Sequence, residues 1–302
     1  MSSTDNVPRE TSTSNKVVGT RRLKEPMPAP AKGRIFVVAN QKGGVGKTTT
    51  TVNIAAALSM GGLKVLVVDL DPQGNASTAL GVEHRVNMGV YEVLMGNAQV
   101  KDVIQKCAGF PVLDCISSNT SLAQAEINLV SMVARESRLK DALNEIKDNY
   151  DYIFIDCPPS LGLLTVNAFS AATEVLIPIQ CEYYALVGLS QLLETYKIVK
   201  QRLNPDLTLS TIVLTMFDSR TRLANDVVAN VRSHFPRELI DTPIPRAVRL
   251  SEAPSYSQTV MTYDPSSTGA VAYMQVAREI AERGKAFDSN VVSINYKSGD
   301  IA

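Results

Sequence analysis

The stretch NQKGGVGKTTT, from Asn40 to Thr50, contains two lysines where a phosphate-binding loop requires one. It ends in the Gly-Lys-Thr of a Walker A loop, in which backbone N–H groups surround the phosphates, a lysine (here Lys47) reaches the terminal phosphates and a hydroxyl binds Mg²⁺. The strict pattern has a glycine where this chain has Gln41. The loop is therefore either a chance match or a variant, and the role of the first lysine, Lys42, is open.

The segments on either side of the loop decide between these alternatives. A phosphate loop needs a buried strand before it and a helix N-terminus after it, where free N–H groups and the helix dipole favour an anion. The run RIFVVAN at 34–40 has the length of a strand, and TTTTVNIAAALSMGG at 48–62 has the apolar spacing of a helix that stops at its two glycines. We therefore predict a nucleotide-phosphate site. Its residues are Gly43, Gly44, Val45, Gly46, Lys47, Thr48 and Thr49.

The composition is that of a globular protein without long apolar segments. Of 302 residues, 45% are hydrophobic, and no run approaches the length of a transmembrane helix. The start of the chain lacks the apolar core of a signal peptide and the four cysteines form no C-x-x-C pair, so we expect a reducing cytoplasm. Lys+Arg and Asp+Glu are equal at 30 each, so any surface for nucleic acid would have to be a local patch.

Strand-like runs alternate with helical patterns from residue 33 onward. Continuous apolar strands separated by helices predict an α/β fold, with a mostly parallel, doubly wound sheet covered by helices on both faces. Apolar stripes at 122–146 and 186–203 predict the core faces of helices. The predicted strands lie in the runs 34–40, 64–71, 110–117, 150–159, 174–180 and 207–218.

We predict a single P-loop domain over residues 33–287, with a tail on each side. Residues 1–32 are rich in Ser, Thr, Pro and basic charge and have no apolar period, which predicts a disordered arm. This arm is either a solvated tail or a weak contact to DNA or a protein partner. Residues 288–302 form a short tail without the basic amphipathic pattern of a membrane-surface helix, so we expect no membrane contact there.

Acidic residues at the ends of two predicted strands complete the site. YIFIDCPPS is apolar up to Asp156, as a Walker B strand is, although Asp156 could instead cap a helix. KVLVVDLDPQGNAS ends a strand with Asp69 and Asp71, two residues apart and hence on one face. Two close carboxylates need a cation or donors nearby, so Mg²⁺ or Lys47 would explain the pair. Either acid could instead cap the next helix.

Five stretches together closely resemble the ParA/Soj partition ATPases, within the deviant Walker A group. They are KGGVGKTTT at 42–50, VDLDPQGNAS at 68–77, FIDCPPS at 154–160, LTMFDSRTRLANDV at 214–227 and IPRAVRLSEAPSYSQTVMTYDPSSTGA at 244–270. The resemblance extends from about Arg34 to Ala281. It implies a P-loop domain that binds ATP and Mg²⁺ and slowly hydrolyses ATP to ADP and phosphate, in the cytoplasm and on the nucleoid.

The resemblance also implies a role for Lys42. In the family the matching lysine crosses a two-fold dimer interface to the partner's nucleotide. Lys42 would then form half of an ATP-dependent clamp in a homodimer, a contact that exists only when two loaded subunits face each other. ATP would hold the subunits together, and hydrolysis would release them.

The same resemblance assigns the chemistry of hydrolysis. Lys47 would join Lys42 at the phosphates, and Thr48 would ligate Mg²⁺. Asp156 would support the water shell of the metal. Asp71 would align the hydrolytic water, and Asp69 would act behind it and close to the metal.

The expected adenine contacts are less specific. The base is expected to lie against the loop after LTMFD and against IPRAV, which makes Met216 and Pro245 candidates for contact with it. The chain departs here from relatives of the cell-division branch, which have an Asn-Arg pair where Thr215 and Met216 stand.

Two arginine-bearing loops are candidates for DNA binding. Arg220 and Arg222 follow the strand STIVLTMF, and Arg246 and Arg249 lie in IPRAVRLSEAPS. Residues of the family that match Arg220 and Arg249 contact DNA backbone on the dimer, which predicts nonspecific and salt-dependent binding to double-stranded DNA. Each arginine could instead be a solvated or ion-paired surface residue. The family further implies a ParB-type centromere-binding protein as the partner that stimulates hydrolysis.

Other proteins with this loop make different predictions. A division-site ATPase on a membrane would have a basic amphipathic C-terminal helix, an iron–sulfur carrier would have paired cysteines, and a bacterial tyrosine kinase would have a terminal tyrosine cluster. The sequence shows none of these patterns. Two alternatives stay open: a nucleotide-gated switch that binds DNA or protein with little turnover, and a division-site positioning ATPase of the same fold.

Overall fold

The computed structural model describes residues 25–110, 112–182 and 185–286. The strands of this part of the chain are β1 (Arg34–Val38), β2 (Val65–Asp69), β3 (Ile104–Lys106), β4 (Leu113–Ile116), β5 (Tyr152–Asp156), β6 (Glu174–Gln180) and β7 (Thr208–Thr215). Its α-helices are α1 (Lys47–Met60), α2 (Asn75–Ala79), α3 (Val90–Met95), α4 (Ala125–Asn128), α5 (Arg138–Asn144), α6 (Leu163–Ala171), α7 (Ala185–Arg202), α8 (Arg222–His234), α9 (Val248–Glu252), α10 (Val260–Tyr263) and α11 (Thr268–Ala286). Short 3-10 turns occupy Val100–Asp102, Thr120–Gln124, Leu129–Ser131, Lys147–Asn149 and Ala253–Tyr256.

The strands form one sheet in the order β3-β4-β2-β5-β1-β6-β7. All neighbouring strands are parallel except β3, which pairs antiparallel with β4 at the edge. Each of the six predicted runs contains one of the parallel strands, so the predicted mostly parallel sheet is confirmed. The sequence did not reveal β3, because three residues at a half-buried edge leave almost no apolar pattern.

Helices cover both faces of the sheet, as the doubly wound fold requires. Alternate residues of β1 point to opposite sides: Ile35 and Val37 pack with the apolar residues of α5, α6 and α7, while Phe36 and Val38 pack with those of α1 and α11. Both faces of the central strands are therefore buried, which explains why these strands are continuously apolar and do not alternate.

The apolar stripe at 122–146 is a core face, but it does not form one helix. It is divided into two 3-10 turns, α4 and α5. Ala134 has a left-handed φ of 53° at the break. Asn167 of α6 stabilises the interruption, because its amide donates to the carbonyl of Arg135 at 2.7 Å and its oxygen accepts from the N–H of Leu139 at 3.2 Å. A tertiary contact thus replaces hydrogen bonds that a continuous helix would have made.

The packed region begins before the predicted boundary at residue 33. Met27 is buried, its N–H donates to the carbonyl of Gly61 at 3.0 Å, and its side chain lies where a Cβ on Gly61 would be, 2.7 Å from Met27 Cγ. The end of the predicted arm is therefore fixed to the C-terminus of α1. Residues 1–24 and 287–302 lie outside the described residues, so the arm and the tail stay predictions.

Candidate nucleotide-binding site

The phosphate loop connects β1 to α1 and leaves the N-terminus of that helix open. Gly44 and Gly46 have φ values of 74° and 88°, a left-handed conformation that a side chain would strain. Gly46 is the residue before α1 and offers no side chain to cap it. The first N–H groups of a helix have no partner within the helix, so this terminus can receive an anion.

Lys47 is the first residue of α1, and its side chain folds back into the phosphate loop. Its side chain is buried, and its Nζ donates to the carbonyl of Lys42 at 3.3 Å. Burial lowers the pKa of Lys47, and the negative charges of Asp156 and Asp71 oppose this shift. The amine is therefore held close to carboxylates, in a position that phosphate oxygens could share.

Asp156 stands at the centre of the site. The register places it beside Val38, which precedes the loop, and beside Asp69 on the other neighbouring strand. Its carboxylate accepts hydrogen bonds from the hydroxyls of Thr48 at 2.7 Å and Thr51 at 3.0 Å. Burial raises the pKa of Asp156 to about 7, and the nearby Asp69 and Asp71 add to the shift. The sequence did not reveal Thr51, which lies one helical turn after Lys47.

The structure separates the two acids at the end of β2. Asp69 is fully buried and its Oδ2 accepts from the N–H of Ser77 at 2.7 Å and from its hydroxyl at 2.6 Å. These contacts favour the alternative that Asp69 caps the next helix, since Ser77 is in the first turn of α2. Burial raises the pKa of Asp69 to about 6. Asp71 lies beyond the strand, where its Oδ1 accepts from the N–H of Gln73 at 3.0 Å.

The residues at the carboxyl ends of β2 and β5 and at the start of α1 fit a magnesium ion. Mg²⁺ prefers oxygen ligands and usually takes one or two from the protein, with the rest from phosphate and water. The hydroxyl of Thr48 and the carboxylates of Asp156 and Asp71 supply such oxygens. Nowhere in the described residues do three or more His, Cys, Asp or Glu side chains form a group that could hold a metal without other ligands. The raised pKa of Asp156 also reflects an excess of negative charge, which a cation would offset.

A cavity of about 200 Å³ lies next to the loop, on the side of β7. Its lining includes Gly46 of the loop, Thr49 of α1 and both residues predicted to contact adenine, Met216 and Pro245. The hydroxyl of Thr215 donates to the carbonyl of Val45 at 2.8 Å and fixes the end of β7 to the loop. The cavity therefore continues the phosphate site.

The sequence did not reveal one residue of this cavity, Tyr273 of α11. This side chain is buried, and its hydroxyl is 3.1 Å from that of Thr50 in α1. Its position 223 residues away in sequence explains why no motif pointed to it. Leu250 contributes a further apolar side chain to the wall.

Lys42 makes its side-chain contact outside its own loop. Its Nζ pairs with Glu182 Oε2 at 3.0 Å, and both side chains are about 40% exposed, 38% and 43% respectively. Glu182 follows β6, and no motif in the sequence identified it. Lys42 and Lys47 are thus only five residues apart in sequence but have different surroundings.

The four arginines proposed for DNA are exposed and ion-paired. Arg220 chelates Asp218 with contacts of 2.9 and 2.7 Å, which holds the pKa of that carboxyl at about 2. Their other carboxylate contacts are Arg222 to Asp226 at 3.7 Å, Arg246 to Glu182 at 3.9 Å, and Arg249 to Glu252 at 2.9 Å and Asp264 at 3.4 Å.

The two loops that carry these arginines are joined by backbone hydrogen bonds. Phe217 donates to Ile244 at 2.9 Å, and Arg246 donates to the carbonyl of Phe217 at 3.0 Å. The structure therefore brings Arg220 and Arg246 onto adjoining loops.

None of the described helices combines the length and the apolar character that crossing a membrane would require.

Comparisons with known proteins agree with this geometry. A family model described as an AAA domain matches residues 33–209. The sporulation initiation inhibitor protein Soj of Bacillus subtilis is 52% identical over 253 residues, which are 83% of this chain and 100% of that protein. The chromosome partitioning protein ParA of Myxococcus xanthus is 48% identical over 252 residues, which cover 83% of this chain and 89% of that protein.

A solved structure with ligands is also similar. The crystal structure of a protein named cobyrinic acid a,c-diamide synthase from Mycobacterium smegmatis, with bound ADP and magnesium, superimposes with a TM-score of 0.70 at 39% identity. The match covers 83% of this chain and 93% of that one. With its P-loop site, its mostly parallel sheet and these relatives, the chain belongs to the family of the Soj and ParA chromosome-partitioning P-loop ATPases.

Proposed function

We propose that this protein is a DNA-partitioning ATPase in which ATP assembles a homodimer, the dimer binds DNA without sequence preference, and hydrolysis releases both. The observation that carries the proposal is the open N-terminus of α1 beside Lys47, Thr48 and Asp156. A nucleotide bound there has donors for its phosphates, oxygens for its metal and a cavity for its base.

The residues divide the work of hydrolysis among them. Lys47 and the N–H groups at the start of α1 bind and neutralise the phosphates. Thr48 and Asp156 would hold Mg²⁺, which supplies charge neutralisation at the transferred phosphoryl group. Asp71 has one oxygen fixed by the N–H of Gln73, and its second oxygen would orient the attacking water molecule.

Dimerisation rests on Lys42. Its amine projects from the loop and is partly exposed, so a second subunit that presents a phosphate could contact it. Because a two-fold interface repeats each contact, two such lysines would join two nucleotides to two subunits. The contact would disappear when the terminal phosphate leaves.

DNA binding rests on the arginines of the loops after β7. All four pair with carboxylates at the surface, and exposed ion pairs contribute little, so DNA phosphates can replace the carboxylates. Contacts to phosphates carry no sequence information and release counterions. A dimer doubles these contacts, and because the contributions multiply in the binding constant, affinity rises by far more than twofold.

The proposed partner and location follow from the family. A ParB-type centromere-binding protein would stimulate hydrolysis, and DNA binding would keep the ATP-bound dimer on the nucleoid in the cytoplasm. An alternative is a nucleotide-gated switch with little turnover, and a division-site positioning ATPase of the same fold is a second one.

Phosphate release tests the proposal and separates it from the switch. We expect Mg-dependent turnover by the wild type that rises when DNA and the ParB-type partner are added together. Asp71→Ala should bind ATP with near wild-type affinity but lose turnover by roughly 10²-fold or more.

The matched control for this experiment is Asp102→Ala, which removes an exposed carboxylate on the turn before β3. It should leave turnover unchanged. Wild-type rates in Asp71→Ala would contradict the assigned role, and a wild type that hydrolyses no ATP under any of these conditions would support the switch.

A further inference from the structure

Glu182 forms a contact that the proposed cycle does not use. Its Oε2 accepts from Lys42 Nζ at 3.0 Å, and its Oε1 lies 3.9 Å from the guanidinium of Arg246. The amide of Gln180 donates to the same carboxylate. One carboxylate therefore lies between the lysine proposed for the dimer and an arginine proposed for DNA.

The backbone holds these groups together. Asn40 donates its side-chain amide to the carbonyl of Pro178 in β6 at 2.8 Å, and its side-chain oxygen accepts from the N–H of Lys42 at 3.0 Å. The start of the phosphate loop is thus tied to the end of β6, two residues before Gln180. Lys42 is attached to this strand end twice, through its backbone and through its amine.

We propose that Glu182 is an intramolecular latch, a carboxylate that holds Lys42 within its own subunit until an ATP-loaded partner displaces it. This inference rests on the proposed function, because the displacing group would be the nucleotide in the opposite subunit. The latch would keep a single subunit from presenting a free lysine to other anions. It would also make dimerisation depend on a ligand with more negative charge than one carboxylate, which ATP has.

The strength of the latch follows from its exposure. A half-exposed ion pair changes an equilibrium by roughly 1.4-fold to fivefold. A symmetric dimer breaks one latch in each subunit, so the two factors multiply to roughly twofold to thirtyfold. The latch would therefore adjust the ATP-dependent equilibrium without preventing dimerisation.

Sedimentation of the full chain with a non-hydrolysable ATP analogue and Mg²⁺ measures this equilibrium. Glu182→Gln and Glu182→Ala should both lower the dissociation constant of the dimer by roughly twofold to thirtyfold relative to the wild type. The matched control is Glu252→Gln, which removes the same charge from a surface ion pair of similar exposure that does not involve Lys42. It should leave the dimer unchanged.

A second measurement detects the latch without dimerisation. In nucleotide-free protein, acetylation of Lys42 by an amine-reactive ester, followed by mass spectrometry, should be faster in Glu182→Gln than in the wild type. Lys64, which is exposed and lies between the C-terminal end of α1 and β2, serves as the internal reference and should react equally in both. Equal acetylation of Lys42 in the two proteins would overturn the inference.

The outcomes separate this inference from the proposed function. A wild type that dimerises with the analogue, together with Glu182 variants that dimerise equally or more weakly, would overturn the latch alone. A weaker dimer would mean that Glu182 acts across the interface. A wild type that stays monomeric at saturating analogue would contradict the proposed function, and the latch with it.

Discussion

The two lysines of the loop differ in burial and in partner. Lys47 is 7% exposed and its amine contacts the loop carbonyl of Lys42, whereas Lys42 is partly exposed and contacts Glu182. A buried amine next to carboxylates is suited to bind phosphate within its own subunit. An exposed amine at the start of the loop is suited to bind something opposite.

Substitution of each lysine should therefore have a different effect. Lys47→Ala should weaken ATP binding by roughly tenfold to a hundredfold, because it removes a charge-assisted contact to the phosphates. Lys42→Ala should change ATP binding by a single subunit less than about threefold and should abolish the ATP-dependent dimer. Titration with a fluorescent ATP analogue and sedimentation would measure the two properties. Loss of ATP binding in Lys42→Ala at low protein concentration would contradict the division.

Single residues of the site could be predicted from the sequence only where a motif contains them. The structure brings Lys47, Thr48 and Asp156 together at the start of α1 and places Met216 and Pro245 in one cavity, while their roles at a nucleotide stay predictions. Partners that are distant in sequence were missed, since a motif records only its own neighbours. Glu182 contacts Lys42 of the loop only because the end of β6 packs beside the loop. Tyr273 contacts Thr50 and reaches the cavity only because α11 packs beside α1.

Asp69 has a structural role, because it connects β2 to α2. The carboxylate at the end of β2 satisfies two donors of Ser77 in the first turn of α2, a helix whose preceding residue, Gly74, has no side chain to cap it. This contact joins a strand to the helix that follows it, and it keeps the intervening Asp71 loop in place.

Removal of this cap should lower stability. Asp69→Ala leaves two buried donors without an acceptor, at a cost of about 1–3 kcal/mol, and should lower the Tm of the nucleotide-free and Mg-free protein by roughly 2–10 °C. Ser77→Ala removes only one of the donors and should have a smaller effect. Scanning calorimetry would measure both. A wild-type Tm in Asp69→Ala, together with loss of Mg-dependent ATP binding, would indicate a role at the metal instead.

The same carboxylate should make stability depend on pH. Burial raises the pKa of Asp69 to about 6 in the folded chain, so between pH 4 and 6 the folded state binds more protons than the unfolded state. Proton binding by Asp69 therefore contributes to the free energy of unfolding. This contribution is fully present below the pKa of the unfolded state and is lost as pH rises through the pKa of the folded state. Asp69→Asn cannot ionise at this position. The difference between its Tm and that of the wild type, variant minus wild type, should therefore increase as pH rises from about 4 to about 7. A Tm difference that stays constant over this range would contradict the assignment.

Predictions for whole elements succeeded where the pattern was long. The six buried parallel strands and α1 are continuous apolar or periodic runs, and all of them are present. The edge strand β3 was missed because it is short and half-buried. The interruption between α4 and α5 was missed because it depends on Asn167, a residue of another helix that supplies the missing hydrogen bonds.

The topology places the candidate site at the carboxyl ends of the parallel strands. Parallel strands end on the same side of the sheet. That side therefore carries the phosphate loop after β1, the acids of β2 and β5, Glu182 after β6 and the arginine loops after β7. A nucleotide in the site would lie close to these segments. Binding and loss of one phosphate can therefore act on the dimer contact and on the DNA contacts together.

The most direct test of this account is equilibrium binding of the protein to random-sequence duplex DNA with ATP, with ADP and without nucleotide, over a series of salt concentrations. Asp71→Ala would hold the ATP state, and Arg220→Ala would serve as a variant with fewer phosphate contacts but normal dimerisation. The account predicts tight binding only with ATP, a steep loss of affinity with salt, and a shallower salt dependence in Arg220→Ala. Equal binding in the three nucleotide states, or no binding in any of them, would contradict it.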